Sequence, residues 1–243
     1  MAFGSFQQAL AAAGVSDATL DAADRRSLDH QGYVILRRVI AAAALDDLRA
    51  RFEDKILASA KWPAPREHGT RHAFLDNDDA VRRVCLSPPV LAAVAHALPG
   101  RFYMSDVQGR DPCPGGGYQA LHRDWPDDGE GPRMVVGLAF LDGFDEANGA
   151  TRLVPGTHGE PGEMNDHAHY AERHPRQVVL RGESGDILLF HGRLVHAGLR
   201  NTSGAPRRTL QICYRDISTY ATHRESRELS NVAPLDRYLM GAD

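Results

Sequence analysis

Cysteine is scarce in this chain. The three residues, Cys85, Cys113 and Cys213, are odd in number and far apart, which argues against a disulfide framework and against a zinc site built from paired thiolates. A reducing, cytoplasmic compartment is the expectation. No run of about eighteen apolar residues occurs, so no membrane-spanning helix is expected. The alanine-rich start, Met1 to Ala13, lacks a basic leader and a cleavage pattern and does not read as a signal peptide. A basic surplus is missing too: 28 basic residues stand against 32 acidic ones, a net charge of −4, which argues against a general nucleic-acid binder. What the chain does have is histidine, twelve in 243 residues, and that invites a search for metal-ligand spacing.

Length and composition allow one large domain with a real core. Residues 1–100 read as a mostly helical flank. Helical stretches are expected over Ser16–His30, over Ala41–Ala60, where Leu45, Leu48, Phe52, Ile56 and Leu57 recur at helical spacing, and over Asp78–Leu98, broken into two by Ser87-Pro88-Pro89. Gly32–Leu36 reads as a short strand. From Phe102 the character changes to short β-like runs divided by Gly, Pro and Asp: Phe102–Arg110, Tyr118–Asp124, Met134–Leu141, Ala150–Val154, Gln177–Leu180, Asp186–Phe190 and Arg207–Arg215. This predicts a mainly β barrel or sandwich over residues 101–217 with helices packed outside, followed by a C-terminal segment, 218–243. Gly156–Pro175 is long, polar and His-rich, and is expected to be a surface loop. Its His167, His169 and His174 read as a solvated loop rather than a second metal site.

The sharpest local feature is Gln119-Ala-Leu-His122-Arg-Asp124-Trp125. On a strand, side chains at i and i+2 share a face, so His122 and Asp124 can address one cation from one side. A third ligand is supplied by the apolar run Gly185–His196, where His191 competes with His196. Two imidazoles and one carboxylate, with further positions open, form the facial triad of non-haem iron(II) oxygenases. Asn201–Arg208 then leads into a strand, and an arginine there can pair through two hydrogen bonds with a carboxylate.

Together these residues resemble the phytanoyl-CoA dioxygenase family of iron(II)/2-oxoglutarate oxygenases. The matching features are His122-x-Asp124, the run Glu146-Ala-Asn148-Gly149-Ala-Thr151-Arg-Leu-Val-Pro155-Gly156-Thr-His158, Gly185-Asp186-Ile-Leu-Leu-Phe, and His196 followed by Asn201, Ser203, Arg207 and Arg208. The resemblance implies a double-stranded β-helix, a jelly-roll-like barrel with flanking helices, and iron held by His122, Asp124 and His196. It implies that Arg207 binds the distal carboxylate of 2-oxoglutarate, with Gln119, Thr151 and Arg71 as further contacts to it and Arg208 as a structural neighbour. Gln119 lies an odd number of residues before His122, so its contact requires an irregular strand. The carboxylate at position 124 favours hydroxylation over halogenation, because related halogenases carry a small residue there.

The expected reaction is oxidation of a small molecule, with natural-product biosynthesis as the expected setting, by iron(II), dioxygen and 2-oxoglutarate, giving succinate and carbon dioxide. Hydroxylation is the leading outcome; desaturation, ring formation, epimerisation and endoperoxide formation use the same groups, and a zinc or manganese hydrolase or isomerase is disfavoured by Arg207. A monomer or homodimer would suffice. Candidate substrate walls are Phe74, Tyr103, Trp125, Met134, Tyr214 and Tyr220, with Arg66–Phe74 and Ser218–Arg227 as candidate lids.

Overall fold

A computed structural model describes residues 5–56, 69–75, 78–127, 129–162 and 169–220. Among the described residues five helices, α1 (Phe6–Ala12), α2 (Ala22–Gln31), α3 (Ala42–Asp54), α4 (Asp79–Cys85) and α5 (Pro88–Ala97), flank nine strands. The strands are β1 (Tyr33–Leu36), β2 (Thr70–Phe74), β3 (Phe102–Pro112), β4 (Met134–Phe140), β5 (Thr151–Leu153), β6 (Val178–Val179), β7 (Ile187–His191), β8 (His196–Gly198) and β9 (Thr209–Asp216). No helix among the described residues is long and apolar enough to cross a membrane.

All the pairings are antiparallel. A six-stranded sheet runs β1-β7-β4-β9-β3-β2, and a three-stranded sheet runs β6-β5-β8. This is the jelly-roll arrangement expected from the sequence. The helices cover the outer face of the larger sheet: Val135, Ile187, Leu189, Leu210, Ile212 and Tyr214 pack with Leu28, Leu48, Val90, Leu91 and Val94. The inner face carries Met134, Val136, Leu138, Leu188, Phe190 and Cys213, which meet Leu153 of the smaller sheet. β4 is buried on both faces, and its run Met-Val-Val-Gly-Leu-Ala-Phe is correspondingly apolar throughout. β9 alternates instead. Leu210, Ile212 and Tyr214 go to the helices, which leaves Thr209, Gln211 and Cys213 for the barrel interior.

Several helix boundaries differ from the sequence expectation. Asp21 accepts a hydrogen bond from the Asp24 amide and starts α2 there, later than the Ser16 signal; Ser16 instead closes a local turn with Thr19. Ser87-Pro-Pro divides α4 from α5 as expected, with proline in the first turn of α5. α3 ends at Asp54, and residues 57–68 lie outside the described residues, as do 163–168 and 221–243. Arg66, His167 and most of the candidate C-terminal lid therefore fall outside them.

Two strand expectations change. Thr70–Phe74, grouped by the sequence with a lid, forms an edge strand against β3. Tyr118–Asp124 forms no regular strand; it follows Gly115 and Gly117, whose φ values of 81° and 77° turn the chain in the left-handed region that favours glycine. The segment is tied to its neighbour by separate backbone hydrogen bonds at Gln119, at the isolated pair His122–His196 and at Asp124. A bulge between Met104 and Asp106 resets β3, so that beyond it Val107 faces the helices and Arg110 faces the interior.

Candidate metal centre and co-substrate cavity

The two segments that carry the triad are locked to each other by backbone hydrogen bonds. The His122 amide donates to the His196 carbonyl at 2.9 Å and the His196 amide to the His122 carbonyl at 3.0 Å. Gly192 accepts from the amides of Asp124 and Trp125 at 2.8 and 2.9 Å. The result brings one ligand atom from each of His122, Asp124 and His196 within 4.8 Å of one another, the one such group of three or more metal-ligating side chains among the described residues. The Nε2 atoms of His122 and His196 each lie 3.5 Å from a different oxygen of Asp124.

The outer ring nitrogens fix the tautomers. His122 Nδ1 donates to the Ala120 carbonyl at 2.9 Å and His196 Nδ1 to the Leu194 carbonyl at 3.0 Å. With the protons on Nδ1, both Nε2 lone pairs converge beside Asp124, which is the donor set a divalent iron requires. Electrostatics agrees. Burial alone would raise Asp124, but the neighbouring imidazoles, His196 and then His122, hold its carboxyl well below the usual carboxylate range. Burial pushes His196 down to about 4, against the opposing pull of Asp124. A neutral His196 imidazole and an ionised Asp124 carboxylate are thus the resting state at neutral pH.

A cavity of about 170 Å³ opens beside the triad, lined also by Gln119, Thr151 and Arg207. Arg207 is 8% exposed, and its amide donates to Asp111 Oδ1 at 2.9 Å. Gln119 reaches the cavity because its segment is irregular, as its spacing from His122 required; its amide donates to the Gly198 carbonyl and its Oε1 accepts from the Gly198 amide. Arg71 is a correction. It pairs with Asp111 and Glu53 instead of lining the cavity, because the alternation of β2 gives the inner position to His72. Sequence reasoning missed His72, Arg110 and Gln211 on the cavity wall. The period-two alternation of β3 and β9 was the signal that could have found the last two.

The aromatic wall divides. Tyr214 packs toward the helices and its hydroxyl donates to the Cys85 carbonyl at 2.6 Å. Tyr103 is sealed beneath Tyr220 and bonded to Thr219. Neither tyrosine lines the triad cavity, and nor does Tyr220, so these three substrate expectations are corrected to packing roles. The side chain of Phe74 lies outside the described residues. Trp125 and Met134 line a second cavity next to the first. His191, the rival third ligand, stacks on His158 away from the triad. Arg208 is held by Asp142 and Glu53.

Arg123, between two triad residues, is 3% exposed. Its Nη1 donates to the carbonyls of Thr157 and Arg193, each at 2.7 Å. It therefore ties the turn bearing His122 and Asp124 to the segment leading into His196. Arg123→Gln is expected to weaken iron(II) binding roughly ten- to a hundredfold, the usual effect of losing an outer partner of a metal site, with Arg123→Lys in between. Anaerobic iron titration measures this, and an unchanged affinity would show that the triad holds its spacing without the clasp.

Burial also pushes His191 down to about 4, with His158 adding to the effect. The unfolded chain protonates histidine near its ordinary value, about 6.5. As pH falls from about 6.5 toward 4, the unfolded chain takes up protons that His191 and His196 refuse in the fold, so stability is lost across that window. The metal-free protein is expected to melt roughly 5–10 °C lower at pH 5 than at pH 7.5. Calorimetry at the two pH values is the check, and equal melting temperatures would show these rings to be solvated.

An antiparallel jelly roll with two imidazoles and a carboxylate beside a cavity holding a buried arginine defines a non-haem iron(II)/2-oxoglutarate oxygenase. The chain belongs to the phytanoyl-CoA dioxygenase family, which it matches over residues 28–209. Among curated relatives, it is 28% identical to the dioxygenase aneA of Aspergillus aculeatus over 201 residues, covering 72% of this chain and 65% of that protein. It is 27% identical to the iron/alpha-ketoglutarate-dependent dioxygenase ausU of Aspergillus calidoustus, covering 89% of this chain and 79% of that one. Among solved structures, HygX from Streptomyces hygroscopicus, with nickel, 2-oxoglutarate and hygromycin B bound, superposes with a TM-score of 0.68 at 18% identity, covering 82% of this chain and 88% of HygX.

Proposed function

We propose that the protein is an iron(II)/2-oxoglutarate-dependent dioxygenase that hydroxylates a small molecule, forming succinate and carbon dioxide. His122, Asp124 and His196 hold the iron, and Arg207 anchors the distal carboxylate of 2-oxoglutarate. The observation that carries this is the joint presence, in one cavity, of two Nε2 lone pairs, an ionised carboxylate and a buried guanidinium. Iron supplies the oxidising chemistry once 2-oxoglutarate and dioxygen are bound. The chain's own part is binding and orientation. The carbonyls of Ala120 and Leu194 keep both rings in the ligating tautomer, and Gly192 holds the turn that presents Asp124. Gln119 and Thr151 offer polar contacts to the co-substrate between the metal and Arg207, while Val136, Leu138 and Phe190 give the cavity an apolar side that excludes water. The names of ausU as a dioxygenase and of HygX as a holder of metal and 2-oxoglutarate support this reading, and a small-molecule product of secondary metabolism is the substrate class it favours. The test is anaerobic addition of iron(II) and 2-oxoglutarate, followed by oxygen. A visible absorption band and then one succinate per 2-oxoglutarate consumed are expected; no succinate under any metal would overturn the assignment.

A further inference from the structure

The triad cavity, at about 170 Å³, is small beside the roughly 300–1,000 Å³ of ordinary ligand pockets. With 2-oxoglutarate inside, the bulk of a second substrate must lie elsewhere. A second cavity of about 340 Å³ is lined by Asp29, His96, Pro99, Trp125, Pro132, Met134, His191 and Gly192 among others. Consecutive residues divide the two spaces: Asp124 lines the first and Trp125 the second.

The strand register orders them along the barrel. Phe140 pairs with Thr209, Leu138 with Leu188, and Val136 with Phe190; Met134 follows, accepting from the Gly192 amide at 2.8 Å. Arg207 lies just before Thr209. Val136 and Phe190 line the triad cavity, and Met134 and Gly192 line the next. The sequence of sites is therefore the arginine, the triad, then the second cavity, on the side away from the co-substrate anchor. At the same level Arg215 pairs with Met134 and places its guanidinium 5.2 Å from the Trp125 ring centre.

The lining has a definite chemistry. Its guanidinium groups are already engaged, because Arg193 pairs with Asp127 at 2.9 Å and Arg133 with Glu130, and the Asp29 carboxylate shares a hydrogen bond with His96 Nε2 at 2.8 Å. The His191 ring stacks on His158 and makes no side-chain hydrogen bond among the described residues. A neutral imidazole offers one donor and one acceptor, which is what a hydroxyl group satisfies. Trp125, Met134, Pro99 and Pro132 supply flat or apolar walls suited to the C–H faces of a saturated ring.

We propose that this second cavity binds the non-reacting part of the oxidised substrate, and that this part is an uncharged, hydroxyl-bearing saturated ring. The proposal rests on the reading that the triad cavity takes iron and 2-oxoglutarate. Those two failures separate: if wild-type protein gives no absorption band with iron(II) and 2-oxoglutarate, the oxygenase reading falls, whatever the second cavity binds.

The cavity is tested by saturation-transfer NMR on protein loaded with zinc(II), a diamagnetic substitute for iron, and 2-oxoglutarate. The probes are methyl β-glucoside and myo-inositol, with cyclohexanecarboxylate as the charged ring without hydroxyls. Signal is expected from at least one hydroxylated ring and little from the carboxylate. His191→Phe, which removes the donor and acceptor, and Met134→Trp, which fills the space, are each expected to cut the signal about tenfold, with thermal melting confirming that each variant is folded. If His191→Phe does not fold, Met134→Trp carries the test. No signal from either hydroxylated ring in the wild-type protein, a stronger signal from the carboxylate, or undiminished signal in the folded variants would overturn the proposal.

Discussion

Asp124→Ala is expected to give a folded protein that forms no succinate, a loss of well over a hundredfold. Removing an outer partner of a metal ligand typically costs ten- to a hundredfold, so losing a ligand itself costs more. Asp124 is also the only acidic member of the triad, and its carboxyl is held ionised while burial keeps His196 neutral. Two neutral imidazoles bind a hard divalent ion far less well than the same pair with a carboxylate. The fold is expected to persist because what anchors this turn is backbone. The amides of residues 122 and 124 keep their carbonyl partners at His196 and Gly192 whatever side chain stands at 124. Iron titration, succinate yield and melting temperature measured together check this. Succinate formation near the wild-type rate would show that the metal is held elsewhere.

The triad was legible in the sequence because its chemistry is carried by short segments with rigid spacing. His122 and Asp124 sit two residues apart, and His196 follows an apolar run, although that run forms β7 only as far as His191 and His196 opens β8 after a turn. β4 was legible for a similar reason: seven apolar residues in a row admit few alternatives next to turn signals on both sides. The hydrophobic alternation of β9 likewise separates Tyr214, which faces the helices, from Gln211, which faces the cavity.

What was not legible depends on parity and on long-range assembly. Thr70-Arg-His-Ala-Phe has no clean alternation, so nothing in the sequence said that His72 and not Arg71 would face inward. That choice is made by Asp111 on the neighbouring strand, which pairs with Arg71. Tyr118–Asp124 has the composition of a strand, yet the glycines before it prevent a regular ladder, and the same irregularity is what lets Gln119 reach the cavity. The second cavity draws its walls from α2, α5, β4, β7 and the loops between them, and no local pattern announces such a meeting.

Asp111 also bears on the co-substrate cavity. Its Oδ1 accepts from the Arg207 amide while its Oδ2 pairs with Arg71. One carboxylate thus sets the start of β9 and holds the other arginine outside. Arg207→Ala is accordingly expected to raise the KM for 2-oxoglutarate by at least about a hundredfold, because charge-assisted hydrogen bonds contribute about 1.5–3 kcal/mol each and a forked pair is lost. Arg207→Lys should fall between, as an ammonium cannot present the planar fork. Arg71→Ala should change that KM less than about twofold, since its guanidinium is engaged by Asp111 and Glu53. Iron affinity should be unchanged in all three, because neither arginine is a metal ligand. Succinate formed across a series of 2-oxoglutarate concentrations decides the matter. An unaltered KM in Arg207→Ala, or an equal rise in Arg71→Ala, would move the anchor to another residue on the cavity wall.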